Sequence, residues 1–264
     1  METEDHALSR DGTPIAFERL GDGDPVILVG GALQGRVTYR PLAKELSRHL
    51  TVVNYDRRGR GDSGDTAPYA VEREIEDLGT LIAEAGGAAS VYGHSSGAAL
   101  VLHAAARGLP IDKIVLHEPP FGSGSDEERQ AEQQEAEHIE TLLVQDRRGD
   151  AVDFFLTSMG MPSEIVDHLR HDPAMLANAP TILYDPFEVM SDRSRGGRTP
   201  AEQAGGVTVP ALVLAGAASP DWMIDAGRQI ADALPNGRLR VLEGQEHVVP
   251  PQVLAPVLTE FLAG

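Results

Sequence analysis

The 264-residue chain contains no cysteine, which excludes disulfides, thiolate metal sites and a cysteine nucleophile. Lysine is nearly missing too, occurring only at Lys44 and Lys113. Positive charge is scarce overall: 22 Lys and Arg face 41 Asp and Glu, a formal charge of −19. Such a surface repels polyanions, so neither nucleic acid nor an anionic membrane is an expected partner. No apolar run is long enough to span a bilayer. The opening stretch Met1-Glu2-Thr3-Glu4-Asp5-His6 is polar and acidic, unlike a secretory signal, so a cytoplasmic location is expected. A Gly-rich phosphate loop is also missing, because Gly59-Arg60-Gly61 lacks a further glycine and a helix start. His168 and His171 share a helical stretch but have no third ligand nearby in sequence, so no metal site is expected.

What the chain does have is Gly93-His94-Ser95-Ser96-Gly97. An apolar run, Ala88-Ala89-Ser90-Val91-Tyr92, precedes it and reads as a buried strand. The run from Ala98 to Ala106 follows and reads as a helix with almost no polar face. A serine between two glycines at a strand-to-helix turn has the form of a nucleophile elbow. Such a turn strains the serine backbone and leaves no room for flanking side chains, hence Gly93 and Gly97. The serine hydroxyl is thereby raised at the positive end of a helix.

The surrounding pattern alternates strands and helices. Strands are expected over 13–20, 25–29, 51–55 and 113–117, and helices over 39–50 and 71–85. The alternation stops after Phe121 and resumes with strands at 210–215 and 239–242 and helices at 226–234 and 253–262. This predicts an α/β fold, a doubly wound and mostly parallel sheet covered by helices on both faces. Residues 1–121 and 207–264 would form its core. The intervening 122–206 shows no strand pattern. It opens on a Glu- and Gln-rich exposed helix over 126–140 and ends in a Gly-, Arg- and Pro-rich stretch over 191–206, expected to be a mobile loop. An insertion of this kind is expected to be a helical lid over the strand ends.

A serine hydroxyl needs a base. His247 follows the last strand in Glu243-Gly244-Gln245-Glu246-His247, on the sheet edge where the elbow lies. Nucleophile first and histidine last is the order expected of this architecture. His94 is expected to support the turn or pocket. His103, His138, His168 and His171 lie on helical stretches and are expected to be solvated or structural.

On these stretches the chain resembles the α/β-hydrolase family over essentially its whole length. Val29-Gly30-Gly31-Ala32-Leu33 is similar to the family's oxyanion loop, and Asp56-Arg57-Arg58-Gly59-Arg60-Gly61-Asp62-Ser63 to the turn after its fourth strand. The resemblance implies an oxyanion hole from the N–H groups of Ala32 and Ser96. It also exposes a departure. The family's acid usually stands in a Gly-x-x-Asp pattern after the seventh strand, where this chain has Gly216-Ala217-Ala218-Ser219. Two carboxylates could replace it. Glu118 ends the sixth strand before Pro119-Pro120, on a stiff backbone, and some members of the fold carry their acid there. Asp221 stands two residues beyond the usual position, in a looser turn, and Glu118 is preferred for its placement and its longer side chain.

The reaction implied is hydrolysis of an ester, thioester or lactone without cofactor or metal. A serine nucleophile sets the chain apart from the epoxide-hydrolase and dehalogenase branches. A non-hydrolytic relative (acyl transfer, perhydrolysis or lyase) and an inactive small-molecule binder remain as alternatives, because the fold hosts all three. Leu33, Phe121 and Trp222 suggest a largely apolar pocket, and the negative charge favours a small neutral or apolar substrate.

Overall fold

A computed structural model describes residues 3–122 and 124–263; Met1 and Glu2 of the acidic opening stretch, and Ser123 of the expected insertion, lie outside them. Eight strands form one sheet: β1 (Thr3–Leu8), β2 (Pro14–Leu20), β3 (Asp24–Val29), β4 (Leu50–Tyr55), β5 (Ala89–His94), β6 (Ile111–His117), β7 (Ala211–Gly216) and β8 (Gly237–Leu242). Their order is β1-β2-β4-β3-β5-β6-β7-β8. The pairings of β1 with β2 and of β2 with β4 are antiparallel, and all others are parallel. The expected strands are all present, and β1 is an addition. Thr3, Glu4, Asp5 and His6 carry no apolar run, and β1 is a strand only because it pairs with β2 at the sheet edge.

The sheet is apolar on both faces because helices cover both. Along β3, Ile27 and Val29 point to one face and Val26 and Leu28 to the other, the period of two that a pleated strand imposes. The first face packs against α2 (Val71–Glu84), α3 (Ser96–Ala106) and α9 (Asp221–Ala233). The second packs against α1 (Arg36–Leu46) and α10 (Pro251–Leu262), through Leu42, Leu46, Leu254 and Leu258. Each such side chain contributes about 1.5–3 kcal/mol by leaving water. In α3 the residues from Ser96 to Ala104 are all buried, and Gly97, where a Cβ would meet the Val29 and Gly30 backbone, lets its first turn sit close on the sheet behind the elbow.

Between β6 and β7 the described residues contain no strand. The chain runs through α4 (Asp126–Val144), α5 (Arg148–Ser158), α6 (Ser163–Leu169), α7 (Pro173–Asn178), a 3-10 turn over Ala179–Leu183, a π-helical turn over Asp185–Val189 and α8 (Pro200–Ala204). Helix α4 is mostly exposed, as expected, but anchors itself through Ile139 and Leu142. These two join Val152, Phe155 and Ile182 in a cluster that also takes in Leu33 from the core. Residues 191–206, read as a loop from composition, instead form a 3-10 turn at Arg193–Arg195 followed by α8. A capping box between Thr199 and Glu202 starts α8, with Pro200 at its first turn. The Arg195 guanidinium lies 5.0 Å from the centre of the Phe121 ring, which ties the segment to the core.

Candidate active site

Ser95 sits between β5 and α3 at φ 56°, ψ −126°, a backbone region that L-residues avoid. The flanking glycines answer to contact. A Cβ on Gly93 would stand 2.5 Å from the Gly97 carbonyl, and one on Gly97 would stand 2.4 Å from the Val29 carbonyl. Three of the four non-glycine residues described with positive φ belong to this region: Leu33 (61°), Ser95 (56°) and Glu118 (47°). Each costs about 1–3 kcal/mol and persists only where its surroundings hold it.

Glu118 and His247 meet. The His247 Nδ1 atom lies 2.5 Å from Glu118 Oε2, and the second carboxylate oxygen accepts from the Gly216 N–H at 2.6 Å. Glu118 is fully buried. Burial alone would raise its carboxyl, but the bonds from His247 and Gly216 and a longer contact with the Ser219 hydroxyl more than offset it and hold it below the usual glutamate range. The carboxylate is therefore ionised at neutral pH. Ser219, at the family's usual acid position, is buried beside this glutamate. Asp221, the other candidate acid, opens α9 exposed to solvent and makes no bond to His247 among the described residues. Its position is a correction to that alternative: Pro220 and the helix start turn its side chain outward, in the first turn where a carboxylate suits the dipole.

The histidine loop is tied to the elbow and to β7. The Ala218 N–H donates to the Gln245 carbonyl at 2.8 Å, and a Cβ on Gly216 would collide with that same carbonyl at 2.4 Å. His94 Nε2 donates to the His247 backbone carbonyl at 2.9 Å, so the proton sits on that nitrogen. His94 Nδ1 lies 2.9 Å from the Tyr39 hydroxyl, which accepts from the Gly31 N–H at 3.2 Å and also bonds Gln34 Oε1. Burial, reinforced by the neighbouring His247, lowers His94 to about 3. It is a neutral strut between the glycine loop and the histidine loop.

His103 is buried as well, with Nε2 on the Val189 carbonyl at 2.7 Å and Nδ1 bonded to Gln203 at 2.9 Å, and burial lowers it to about 4. These depressed values carry a sign. The unfolded chain takes up protons near pH 6.5 that folded His94 and His103 refuse until about pH 3 and 4. Stability therefore falls as pH drops through that window. At 0.15 M salt, where relief of the net negative charge is screened, the urea midpoint is expected to fall steadily from pH 7 to pH 5. A midpoint that is flat or rises over that range would contradict this account of the two histidines.

The remaining expected residues are placed as follows. Ser96 opens α3 with its side chain buried, and Ala32 lies in the turn after β3. Neither N–H donates to any acceptor among the described residues, whereas the Gly31 N–H is committed to Tyr39 and Gln34. Leu33 is 2% exposed and packs into the insertion's apolar cluster. Phe121 and Trp222 line a cavity of about 780 Å³ whose wall also carries Glu128, Glu132 and Asp225; Ser95 and Leu33 are not part of that wall. Among the described residues, no group of three or more His, Asp or Glu is arranged to hold a metal ion, and no helix is long and apolar enough to cross a membrane.

One feature was not read from sequence. Arg57 is wholly buried, paired with Glu74 at 2.6 Å and 2.7 Å and with Asp185 of the insertion at 2.7 Å. Its signal was present: Glu74 and Asp77 stand among the apolar positions of α2 and need buried cations, which Arg57 and Arg58 supply.

Comparison with known proteins agrees with this layout. A crystal structure described as an alpha/beta hydrolase from Sphaerobacter thermophilus is 46% identical, with a TM-score of 0.86, over 97% of this chain and 99% of that one. The enol-lactonase of Burkholderia xenovorans shares the fold at 20% identity, with a TM-score of 0.69, over 98% of this chain and all of its own. The N-formylmaleamate deformylase of Pseudomonas putida is 33% identical over 104 residues, which span 38% of this chain and 39% of that enzyme. A profile of the alpha/beta hydrolase family matches residues 26–256. With that match, and the sheet order and elbow described above, the chain belongs to the alpha/beta hydrolase family.

Proposed function

We propose that this chain is a serine hydrolase that cleaves a carboxylic ester, thioester or lactone through an acyl-enzyme. The observation that carries the reading is the bond of His247 Nδ1 to a buried, ionised Glu118. It fixes the proton on Nδ1 and leaves Nε2 free to take a proton from Ser95. Attack by the Ser95 oxygen on the carbonyl places negative charge on the former carbonyl oxygen. The Ala32 and Ser96 N–H groups receive it, the second of them at the positive end of α3. His247 then returns its proton to the leaving group, and water repeats the sequence on the acyl-enzyme. Glu118 keeps its negative charge throughout and stabilises the imidazolium.

In this reading the helices of 122–206 act as the lid, and the substrate is small and neutral or apolar. The chain's formal charge of −19 supports disfavouring anions. The deformylase relative supports including an N-formyl amide among the compounds tried. The test is turnover of p-nitrophenyl acetate and butyrate with and without added methanol. Release of free acid supports hydrolysis. Methyl ester as the main product points to acyl transfer, and no turnover of esters, thioesters, lactones or the amide would reject the reading.

A further inference from the structure

We infer that the inserted helices set the geometry of the oxyanion loop, with Asn178 and Asp185 as its positioning residues; the inference rests on the proposed acyl-enzyme reaction. The loop 30–33 is held from the insertion at both ends. At one end, the Leu33 carbonyl accepts from Asn178 Nδ2 at 2.9 Å, while Asn178 Oδ1 accepts from the Gly61 N–H at 3.2 Å. At the other end a single nitrogen, Arg57 Nη1, reaches three acceptors: the Gly30 carbonyl at 3.2 Å, the Ser96 hydroxyl at 3.4 Å and Asp185 Oδ1 at 2.7 Å. Arg57, Arg60 and Asp185 have fully buried side chains, and Asp185 bonds both arginines. One carboxylate of the insertion thus shares with Glu74 of α2 the cation that touches both expected oxyanion segments, and it alone bonds the Nη1 atom that does so.

Leu33 shows why the loop needs holding. Its φ of 61° is unfavourable for a leucine, and its side chain packs into the insertion's own apolar cluster. The residue after Ala32 is therefore kept in a strained conformation by contacts that the insertion supplies. Without them the loop relaxes, and the Ala32 N–H loses its aim. Misplacement of a catalytic group by about 1 Å costs up to about 100-fold. The effect belongs to the transition state, because the oxyanion exists only there.

The test uses the full-length protein and four variants. Asn178→Ala removes the bond to Leu33. Asn178→Asp keeps the acceptor for Gly61 but cannot donate to Leu33. Asp185→Asn removes the insertion's charge from Arg57 and leaves Glu74 as its carboxylate partner. Tyr184→Phe is the control, since it deletes a bond from the same segment to Asp65 at 2.6 Å that does not touch the loop. The expected result is a fall in kcat of about 10- to 100-fold for both Asn178 variants with KM within about twofold of wild type. Affinity for a trifluoromethyl ketone, which forms a tetrahedral adduct, falls in parallel. The pH profile keeps its shape, because Glu118 and His247 are untouched, and Tyr184→Phe behaves as wild type. Asp185→Asn is expected to match the Asn178 variants; if it does not fold, the Asn178 pair decides. Wild-type kcat and ketone affinity in both Asn178 variants would overturn the inference, as would an equal loss in Tyr184→Phe. A wild-type protein without acyl hydrolysis would instead reject the reading on which the inference rests.

Discussion

Replacing Ser95 with alanine is expected to lower kcat for p-nitrophenyl butyrate by about 10⁵- to 10⁶-fold, with the fold intact. The size follows from how the group acts. Nucleophile and base work as one unit, so removing either forfeits nearly all of the chemical acceleration, and only oxyanion stabilisation and binding remain. The fold should survive because the turn rests on other atoms. Gly93 and Gly97 admit the close packing of β5 and α3, and the Ser95 N–H on the His117 carbonyl at 2.9 Å is a backbone bond that alanine keeps. Alanine at φ 56° is no more strained than serine. Circular dichroism and thermal unfolding within a few degrees of wild type would establish that the loss is chemical. A kcat within tenfold of wild type would remove Ser95 from the mechanism.

Glu118→Gln is expected to lower kcat by about 10³- to 10⁴-fold. Glutamine has the shape of glutamate, and its carbonyl oxygen can still accept from Gly216. Its NH₂ then faces His247 Nδ1, which must become an acceptor, so the proton moves to Nε2 and the base is lost. The neutral amide also gives no charge to stabilise the imidazolium. Asp221→Asn should change kcat by less than about twofold, since Asp221 is exposed at the start of α9. The comparison of the two variants by steady-state kinetics decides the acid. Equal activity in Glu118→Gln and wild type would separate the observed hydrogen bond from catalysis.

Much of this arrangement was legible in the sequence, for identifiable reasons. The sheet was readable because buried parallel strands are continuous apolar runs between Gly-rich turns, as in Pro25 to Val29. The elbow was readable because its constraint is local: two glycines, a serine and a helix that opens on small residues, all within a few positions. Choosing Glu118 over Asp221 needed more. It depends on β6 lying beside β7, so that the end of one strand reaches the loop beyond the other, and on Glu118 adopting φ 47°. Neither is a property of the residues' own neighbourhood.

The insertion was hardest to read. Beyond α4 and α5 its helices are short, and its polar residues take their places from contacts with the core. Asn178, Thr181 and Asp185 look like ordinary polar residues until Leu33, Gly61, Arg57 and Arg60 are placed beside them. Segment 191–206 was legible only in part for the same reason: its Gly and Arg content suggests a loop, whereas α8 within it starts from a cap at Thr199 and Arg195 stacks over Phe121. Strand β1 has the opposite defect, since it is polar and takes its conformation from β2.

The central claim is that Ser95 is a nucleophile activated by His247. Its most direct measurement is covalent labelling by a fluorophosphonate, read by mass mapping of the peptides. The account predicts a single adduct on Ser95 in the wild-type protein, no adduct in Ser95→Ala, and slowed labelling in Glu118→Gln. A folded wild-type protein that resists the probe, or one labelled at another residue, would contradict it.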